Sequence, residues 1–227
     1  MSGTLYIVST PIGNLKDITN RAIDILTKVD LIAAEDTRIT GRLLNHYNIK
    51  NKLVSYNNFN ENKKYDFLLK LLNENNNIAL VSDAGTPCIS DPGYRIVNAA
   101  VLYGINVVSV PGACSVIASL SIGGLPTDKF YFEGFLPKKK GRQKRLNYLK
   151  KIDATIVFFE SPNRIDKTLQ DIYQTLGNRV VSLCKEITKL HEKVRLDYLE
   201  NLIKNTKNKM KGEYIILVSK SGYTINE

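Results

Sequence analysis

The sequence predicts an α/β protein of two domains, and three observations carry that prediction. Short apolar runs alternate with amphipathic segments at helical spacing along the first half of the 227 residues, the pattern of a mostly parallel sheet covered on both faces. The clearest run, Ile78-Ala-Leu-Val81, ends in Ser82-Asp-Ala-Gly-Thr-Pro-Cys-Ile-Ser-Asp-Pro-Gly93, a loop at the position where open α/β sheets bind small molecules. With 43% hydrophobic residues the chain can fill one large core or two cores of about 110 residues each, and a second series of strands after Pro111-Gly112 favours two. The expected domains are 1–112, with the mostly parallel sheet, and 113–227, with a mixed sheet.

Leu5 to Val8 reads as the first strand and Ser9-Thr-Pro-Ile-Gly-Asn14 as its turn. Ile18, Ala22, Ile25, Leu26 and Val29 then fall at helical spacing behind Asp17 or Thr19 as N-cap. The turn holds Gly13 but no G-x-G-x-x-G, so the usual dinucleotide fingerprint is missing. Leu31 to Ala34 is a second strand, followed by Glu35-Asp-Thr-Arg38 and a short helix with Leu43, Leu44 and Tyr47. A third strand near Leu53 to Tyr56 leads through Asn57-Asn-Phe-Asn-Glu61 to a helix with Tyr65, Leu68, Leu69 and Leu72. After the fourth strand, Asp91 as N-cap and Pro92 as first helical residue introduce a helix with Ile96, Val97, Ala100 and Val101 that stops at Gly104. Val107 to Val110 is strand five, and Ala113 to Ser121 is a short apolar helix that links the domains. Further strands fall near Phe130 to Glu133, Thr155 to Phe159, Val180 to Cys184, Val194 to Asp197 and Tyr214 to Val218. One helix among them is introduced by Ser161-Pro162 and closed by Gly177.

Composition narrows the function. Cys88, Cys114 and Cys184 are odd in number and form no CxxC, so neither a disulfide framework nor a zinc site is expected, and with His46 and His191 as the only histidines no metal is expected. The N-terminus runs into a strand without a basic flank and no apolar run approaches a membrane span, so a cytoplasmic protein is expected. The net charge of +10 points to a polyanionic partner. Its densest run is Lys138-Lys-Lys-Gly-Arg-Gln-Lys-Arg145, with Lys150-Lys151 beyond; Arg142, Arg145 and Tyr148 would form a basic ridge with one ring for stacking, while Leu146 and Leu149 face the core. The alternative is a solvated helix whose charges serve solubility.

Taken together, Thr10-Pro-Ile-Gly-Asn14, Glu35-Asp-Thr-Arg38, Ser82-Asp-Ala-Gly-Thr-Pro87, Ser90-Asp-Pro-Gly93, Pro111-Gly112, Phe132-Glu-Gly-Phe-Leu-Pro137, Phe159-Glu-Ser-Pro162, Glu186-Ile-Thr-Lys189 and Lys211-Gly-Glu213 give the chain a second kind of signal. In this order, nearly end to end, they resemble the ribosomal RNA methyltransferases of the tetrapyrrole methylase superfamily. The resemblance implies two α/β domains with a donor cleft between them, S-adenosylmethionine as methyl donor, and usually a homodimer. It implies an acceptor too: the ribose 2′-hydroxyl of a cytidine in the decoding region of small-subunit (16S) ribosomal RNA, free or in the assembled 30S subunit. Two departures stand out. The family's histidine-bearing run after the third strand reads Asn57-Asn-Phe-Asn-Glu61 here, so no imidazole step is expected there, and many members continue beyond the point where this chain ends at Glu227, which would weaken RNA binding.

S-adenosylmethionine needs backbone donors and acceptors with apolar walls more than formal charge. Asp83, Ala84 and Gly85 with Ala113, Cys114 and Ser115 meet the first need, and the resemblance adds Pro11, Ile187 and Gly212. Phe159 is either a wall for the adenine or a core aromatic. A carboxylate or amine near the acceptor would take its proton, with Asp36 and Glu61 leading Glu186 and Lys189, although caps and surface pairs use the same residue types. Arg38, Lys138, Lys139, Lys140, Arg142, Arg145 and Arg164 are the expected RNA contacts. Three functions stay open at this point: an RNA 2′-O-methyltransferase, a tetrapyrrole methyltransferase, and a non-catalytic RNA-binding assembly protein. The basic run and Glu35 to Arg38 argue against the second, because a small tetrapyrrole needs no grip on phosphates.

Overall fold

Five short strands form an all-parallel sheet in the first half of the chain: β1 (Thr4–Val8), β2 (Leu31–Ala34), β3 (Leu53–Ser55), β4 (Ile78–Val81) and β5 (Asn106–Val110), in the order β3-β2-β4-β1-β5. This is a computed structural model that describes residues 2–205 and 211–225; Glu227, the chain end noted above, lies outside them. Successive side chains of a strand face opposite ways, and β4 shows the consequence. Ile78 and Leu80 join a core with Leu68 and Leu72 of α3 (Glu61–Asn73) and Ile96 and Ala100 of α4 (Tyr94–Leu102). Ala79 and Val81 join a second core with Ala22 and Leu26 of α1 (Asn20–Lys28) and Leu44 of α2 (Thr37–His46). All four β4 residues are buried, which is why the run is apolar throughout instead of alternating. Each such leucine or isoleucine contributes about 1.5–3 kcal/mol by leaving water.

Local start signals did not always win. Thr19, not Asp17, caps α1, its Oγ1 accepting from the Ala22 N–H at 3.1 Å, while Asp17 closes a short 3-10 turn over Leu15–Asp17. Helix α4 begins at Tyr94 behind Gly93, not at Pro92 behind Asp91. Gly93 has φ +134, and a Cβ there would sit 2.6 Å from Cys88 Sγ and 2.7 Å from Leu80 Cδ2. Packing of the loop onto β4 therefore needs a glycine turned the wrong way for a helix, and the helix starts two residues later than expected.

The chain divides into two compact units, Met1–Cys114 and Ser115–Glu227. The second opens with α5 (Ser115–Ile122) and holds β6 (Phe130–Phe135), β7 (Thr155–Glu160), β8 (Val180–Lys185), β9 (Lys193–Tyr198) and β10 (Tyr214–Val218). Their order is β6-β7-β10-β8-β9, with β6 and β7 parallel and the other pairs antiparallel. Helices α6 (Arg142–Leu149), α7 (Ile165–Leu176) and α8 (Leu199–Asn205) bury Leu146, Leu149, Ile165, Leu169 and Leu202 against Ile156, Phe158, Ile216 and Val218. On β10's other face α5 ends at Gly123, where a Cβ would meet Leu217 Cδ1 at 2.2 Å, so that turn requires glycine. Ser161-Pro162 does not open α7. The Ser161 N–H is held by Glu160 Oε1 at 2.8 Å, the next residues turn with Arg164 N–H on Ser161 C=O, and Arg164 becomes the N-cap; Gly177, φ +86, closes the helix.

Candidate active site

All five strands of the first sheet point their carboxyl ends one way, so the loops after them gather at one edge. There Thr10 and Gly85 exchange backbone hydrogen bonds of 2.9 and 3.0 Å. Thr10 Oγ1 donates to Ser82 C=O at 3.1 Å, Ser9 Oγ and Thr86 Oγ1 lie 2.9 Å apart, and Thr86 Oγ1 donates to Ala113 C=O at 3.3 Å. These bonds knit the loops after β1, β4 and β5 into one rim that brings together Pro11, Asp83, Ala84, Gly85 and Ala113, with Cys114 at its end. Gly85 has φ +82, and a Cβ on it would stand 3.3 Å from Ile12 Cγ2 and 3.8 Å from Ala113 C=O, so the rim closes around a missing side chain. Beside it lies a cavity of about 210 Å³ lined by Pro11, Ser82 and Asp83 from the loops and Ile39, Thr40 and Leu43 from α2.

Carboxylates crowd the same edge. Asp83 Oδ1 accepts the Asp36 N–H at 3.0 Å, and Glu35 Oε2 accepts the Asp83 N–H at 3.3 Å. Burial raises the proton affinity of both Glu35 and Asp83. Burial and then the Glu35 charge push Asp91 up to about 6. Asp36 is the exception: it caps α2 through the Arg38 N–H at 2.8 Å and forks onto the Arg38 guanidinium, with 2.5 Å to Nη2, so its carboxyl stays well below the usual range. That makes Asp36 a cap and ion-pair partner with little affinity for a proton, in place of the base expected first. It also occupies the guanidinium of Arg38, whose side chain is otherwise exposed.

Glu61 is also engaged structurally. Its Oε1 accepts the Tyr56 hydroxyl at 3.1 Å and the Gly93 N–H at 3.2 Å, and its Oε2 lies 3.6 Å from Arg95 Nε. It clamps the start of α3 to the start of α4. Asn57 and Asn60 bond each other's backbone, which folds the stretch after β3 into a self-satisfied turn.

In the second unit, Phe159 is half-buried, with ring centroids of Phe132 and Phe135 at 5.0 and 5.5 Å. It pairs with Ile215 across to β10, which pairs with Cys184 of β8. At this end of the sheet the loop after β8 has Glu186 at φ 51 and Thr188 at φ 67 around the buried Ile187. Glu186 Oε1 accepts the Glu213 N–H at 2.8 Å and Lys189 Nζ at 3.2 Å, and Lys189 reaches Glu213 at 2.8 Å. A Cβ on Gly212, φ +95, would lie 2.8 Å from Glu186 Cγ. Ile187 and Gly212 are thus drawn together by one carboxylate. Glu186 is held below the ordinary carboxyl value, chiefly by the Glu213 N–H, and Lys189 above the ordinary amine value by its two carboxylate partners acting against burial. Ser115, the remaining residue of the donor set, is the first residue of α5.

The basic run splits. Lys138, Lys139 and Lys140 are exposed. Arg142 is not part of an exposed ridge: it is buried, with Nε on Asp171 at 2.7 Å, Nη1 on Pro137 C=O and Nη2 on Thr168. Its place at i with Leu146 and Leu149 at i+4 and i+7 was the sequence signal for that inward face. Arg164 is bonded to Leu136 C=O at 2.8 Å and paired with Glu160 at 3.3 Å. Arg145 is half-exposed and bonded to Glu133 and Tyr131, two residues the sequence did not single out. Among the described residues no group of three or more His, Cys, Asp or Glu could hold a metal ion, and no helix is long and apolar enough to cross a membrane.

Residues 4–203 match the family of Tetrapyrrole (Corrin/Porphyrin) Methylases. The chain is similar to the Ribosomal RNA small subunit methyltransferase I of Halalkalibacterium halodurans, 48% identical over 97% of this chain and 77% of the relative. It is similar to the protein of that name from Thermotoga maritima, 47% identical over 96% of this chain and 98% of the relative. Among solved structures, diphthine synthase superposes with a TM-score of 0.74 at 15% identity, covering 98% of this chain and 92% of that one. Cobalt precorrin-4 methyltransferase gives 0.69 at 18%, covering 95% and 94%.

Proposed function

The chain belongs to the tetrapyrrole (corrin/porphyrin) methylase family, and on that premise we propose that it methylates small-subunit (16S) ribosomal RNA, at the ribose 2′-oxygen of a cytidine in the decoding region. The observation that carries the acceptor is the identity of 48% and 47%, over 97% and 96% of this chain, to relatives named as small-subunit ribosomal RNA methyltransferases. The solved tetrapyrrole enzymes are similar at the level of fold alone, and fold does not fix substrate. The same reading makes the protein a cytoplasmic homodimer that acts on 16S RNA, free or within the 30S subunit.

The rim of the first unit suits S-adenosylmethionine by its chemistry: small residues, backbone groups and the Asp83 carboxylate on loops that Gly85 lets pack closely. Pro11, Asp83, Ala84, Gly85, Ala113 and Cys114 are the donor contacts we propose in the first unit, and Ser115, Phe159, Ile187 and Gly212 those we propose in the second. When bound, the donor supplies a methyl carbon attached to a positive sulfur. The chain's part is to orient the acceptor oxygen in line with that carbon and to keep water out. A ribose hydroxyl is a very weak acid whose proton leaves during or after attack. Asp36 is unsuited to receive it, and Lys189, held charged by two carboxylates, has no free pair. Glu35, whose burial raises its proton affinity at the same edge, is the better match.

The test is transfer of labelled methyl from S-adenosylmethionine to small ribosomal subunits and to protein-free 16S RNA, with the nucleotide mapped by resistance of its linkage to alkali. A single alkali-resistant cytidine is expected. Label on a base, or on a porphyrinoid and not on RNA, would overturn the acceptor; RNA bound without transfer would make the protein a binding factor.

A further inference from the structure

The segment from the end of β6 into α6 carries three kinds of positive charge. Arg142 is internal and fully bonded. Lys138, Lys139, Lys140 and Lys144 are exposed, and among the described residues none forms an ion pair. Arg145 differs from both. Its Nε donates to Glu133 Oε1 at 2.6 Å and its Nη2 to the Tyr131 hydroxyl at 2.8 Å. Its guanidinium carbon lies 5.0 Å from the Tyr148 ring centroid and 5.9 Å from that of Tyr131. A guanidinium has five N–H donors in a fixed fork; here two are used, and Nη1 has no partner among the described residues.

Glu133 makes this arrangement unusual. Its side chain is 5% exposed, yet its Oε2 is buried without a hydrogen-bond partner among the described residues. An arginine and a carboxylate left to themselves close a two-bond fork. Here the stack on Tyr148 and the bond to Tyr131 hold the guanidinium off that geometry, leaving one edge uncommitted on a side chain that is 39% exposed. Tyr148 is 46% exposed beside it. Helix α6 starts behind Gly141, φ +82, with no side-chain cap and no acid in its first turn, so nothing there competes with an incoming anion.

We propose that Arg145 and Tyr148 form a receptor for an unpaired nucleotide of the RNA, the guanidinium edge taking a phosphodiester and the ring taking the base, with Glu133 and Tyr131 as positioning residues. The inference rests on the reading of this chain as an RNA methyltransferase and names the form in which RNA meets it. A base offers its π-face to a side chain when it is free of a duplex stack, and stacking on aromatic rings serves any base. The unpaired lysines nearby add salt-dependent attraction without choosing between strand forms.

The probes are a short single-stranded oligoribonucleotide and a duplex RNA of equal length, with affinity measured by fluorescence anisotropy at several salt concentrations. Tyr148→Ala is expected to weaken the single strand about tenfold with the salt slope unchanged, Tyr148→Phe to restore it, and the duplex to change little. Arg145→Ala is expected to lower the single-strand slope by about 0.7, one phosphate contact. Glu133→Gln separates positioning from bulk charge, because the two predict opposite signs. It removes a negative charge, so general attraction would bind RNA more tightly, whereas loss of the guanidinium's anchor weakens the single strand severalfold. Binding of Glu133→Gln as tight as wild type or tighter, or equal losses on single strand and duplex in Tyr148→Ala, would overturn the site; polyphosphate competing as well as RNA would reduce it to a polyanion patch and overturn it too. Melting temperatures check the Glu133 variant, and the exposed Tyr148 decides the matter where that variant is unstable. Absence of methyl transfer by the wild-type protein would remove the enzymatic reading and leave these binding results standing, whereas normal transfer with an unchanged KM for RNA in Tyr148→Ala would remove the receptor alone.

Discussion

Gly212→Ala and Glu186→Ala, made singly and together, test whether one contact holds the two loops around Ile187. At φ +95 an L side chain costs about 1–2 kcal/mol. The new Cβ would also stand 2.8 Å from Glu186 Cγ and 2.9 Å from its Cδ, which drives the carboxylate off the Glu213 N–H and Lys189 Nζ. Those two charge-assisted bonds, partly open to water, are together worth about 1–2 kcal/mol. Gly212→Ala should therefore cost about 2–4 kcal/mol and Glu186→Ala about 1–2, while the double mutant loses the bonds once and so costs about 2–4 instead of their sum. The expected coupling is about 1–2 kcal/mol, read from urea unfolding followed by circular dichroism and tyrosine fluorescence. The pH dependence has a definite sign. Glu186 is held below its ordinary 4.5, so its contribution is present above that value and fades as pH falls through the lower folded value. The cost of Glu186→Ala should shrink accordingly as pH falls below 4.5. Costs that add to within about 0.5 kcal/mol at pH 7 would refute the shared contact.

Other perturbations reach the remaining parts of the molecule. Asp83→Arg should abolish S-adenosylmethionine binding while the protein stays folded, and calorimetry giving wild-type affinity would move the donor away from the β4 loop. Asp91→Asn tests a carboxyl pushed up from 3.8 to about 6, chiefly by burial. The folded protein binds that proton more tightly than the unfolded chain, so stability falls as pH rises from 3.8 to about 6. The asparagine variant should gain thermal stability relative to wild type at pH 7 and little at pH 4; the opposite ordering would contradict the buried placement. Arg142→Ala should destabilise by about 3 kcal/mol, because it strands Asp171, and leave the salt dependence of RNA binding unchanged. Replacing Lys138, Lys139 and Lys140 by alanine should instead lower the slope of log affinity against log salt by about 0.7–0.9 per lost phosphate contact, at constant thermal stability.

The sheets were legible because burial on both faces leaves its mark directly on the chain. Ile78 to Val81 and Tyr214 to Val218 are continuous apolar runs, and both are buried throughout. Helix starts were less legible, since Asp91-Pro92 and Ser161-Pro162 satisfy the local rule and lose to competing contacts, Leu80 and Cys88 against Gly93 in one case and the adjacent Glu160 carboxylate on the Ser161 N–H in the other. At Arg142 the structure departs from the expected basic ridge because the deciding contact is distant in sequence. Its partner Asp171 lies 29 residues on, and only the spacing to Leu146 and Leu149 marks its inward face. Asp36 and Glu61 show what sequence cannot weigh. A carboxylate's proton affinity follows from its bonds, and both acids had already been engaged, one by an arginine and one by a tyrosine and a backbone N–H.

Backbone strain gathers in two of the loops to which the proposed donor contacts belong. Among the described residues, non-glycine residues with positive φ are Asn48, Asn75, Cys88, Ser90, Glu186 and Thr188. The two asparagines follow α2 and α3, where a left-handed residue ordinarily closes a helix. The other four have no such excuse and fall into just two loops, the one after β4 and the one after β8. Each costs about 1–3 kcal/mol, the threonine at the high end because its Cβ is branched. What holds them is local: Gly93 lets the chain pack onto Cys88 and Leu80, and Glu186 grips the Glu213 backbone over Gly212. A loop held this way is already ordered, so a ligand that meets it loses little binding energy to freezing the chain. The loops that carry Asp83 to Gly85 and Ile187 are therefore the ones whose conformation is fixed against its own preference, each by restraints from its own unit. Gly93→Ala, whose Cβ would clash with Cys88 Sγ and Leu80 Cδ2 and so displace the loop, should weaken S-adenosylmethionine binding more than alanine in place of the exposed Ile89, as calorimetric titration of the two folded variants would read; equal affinities would refute this.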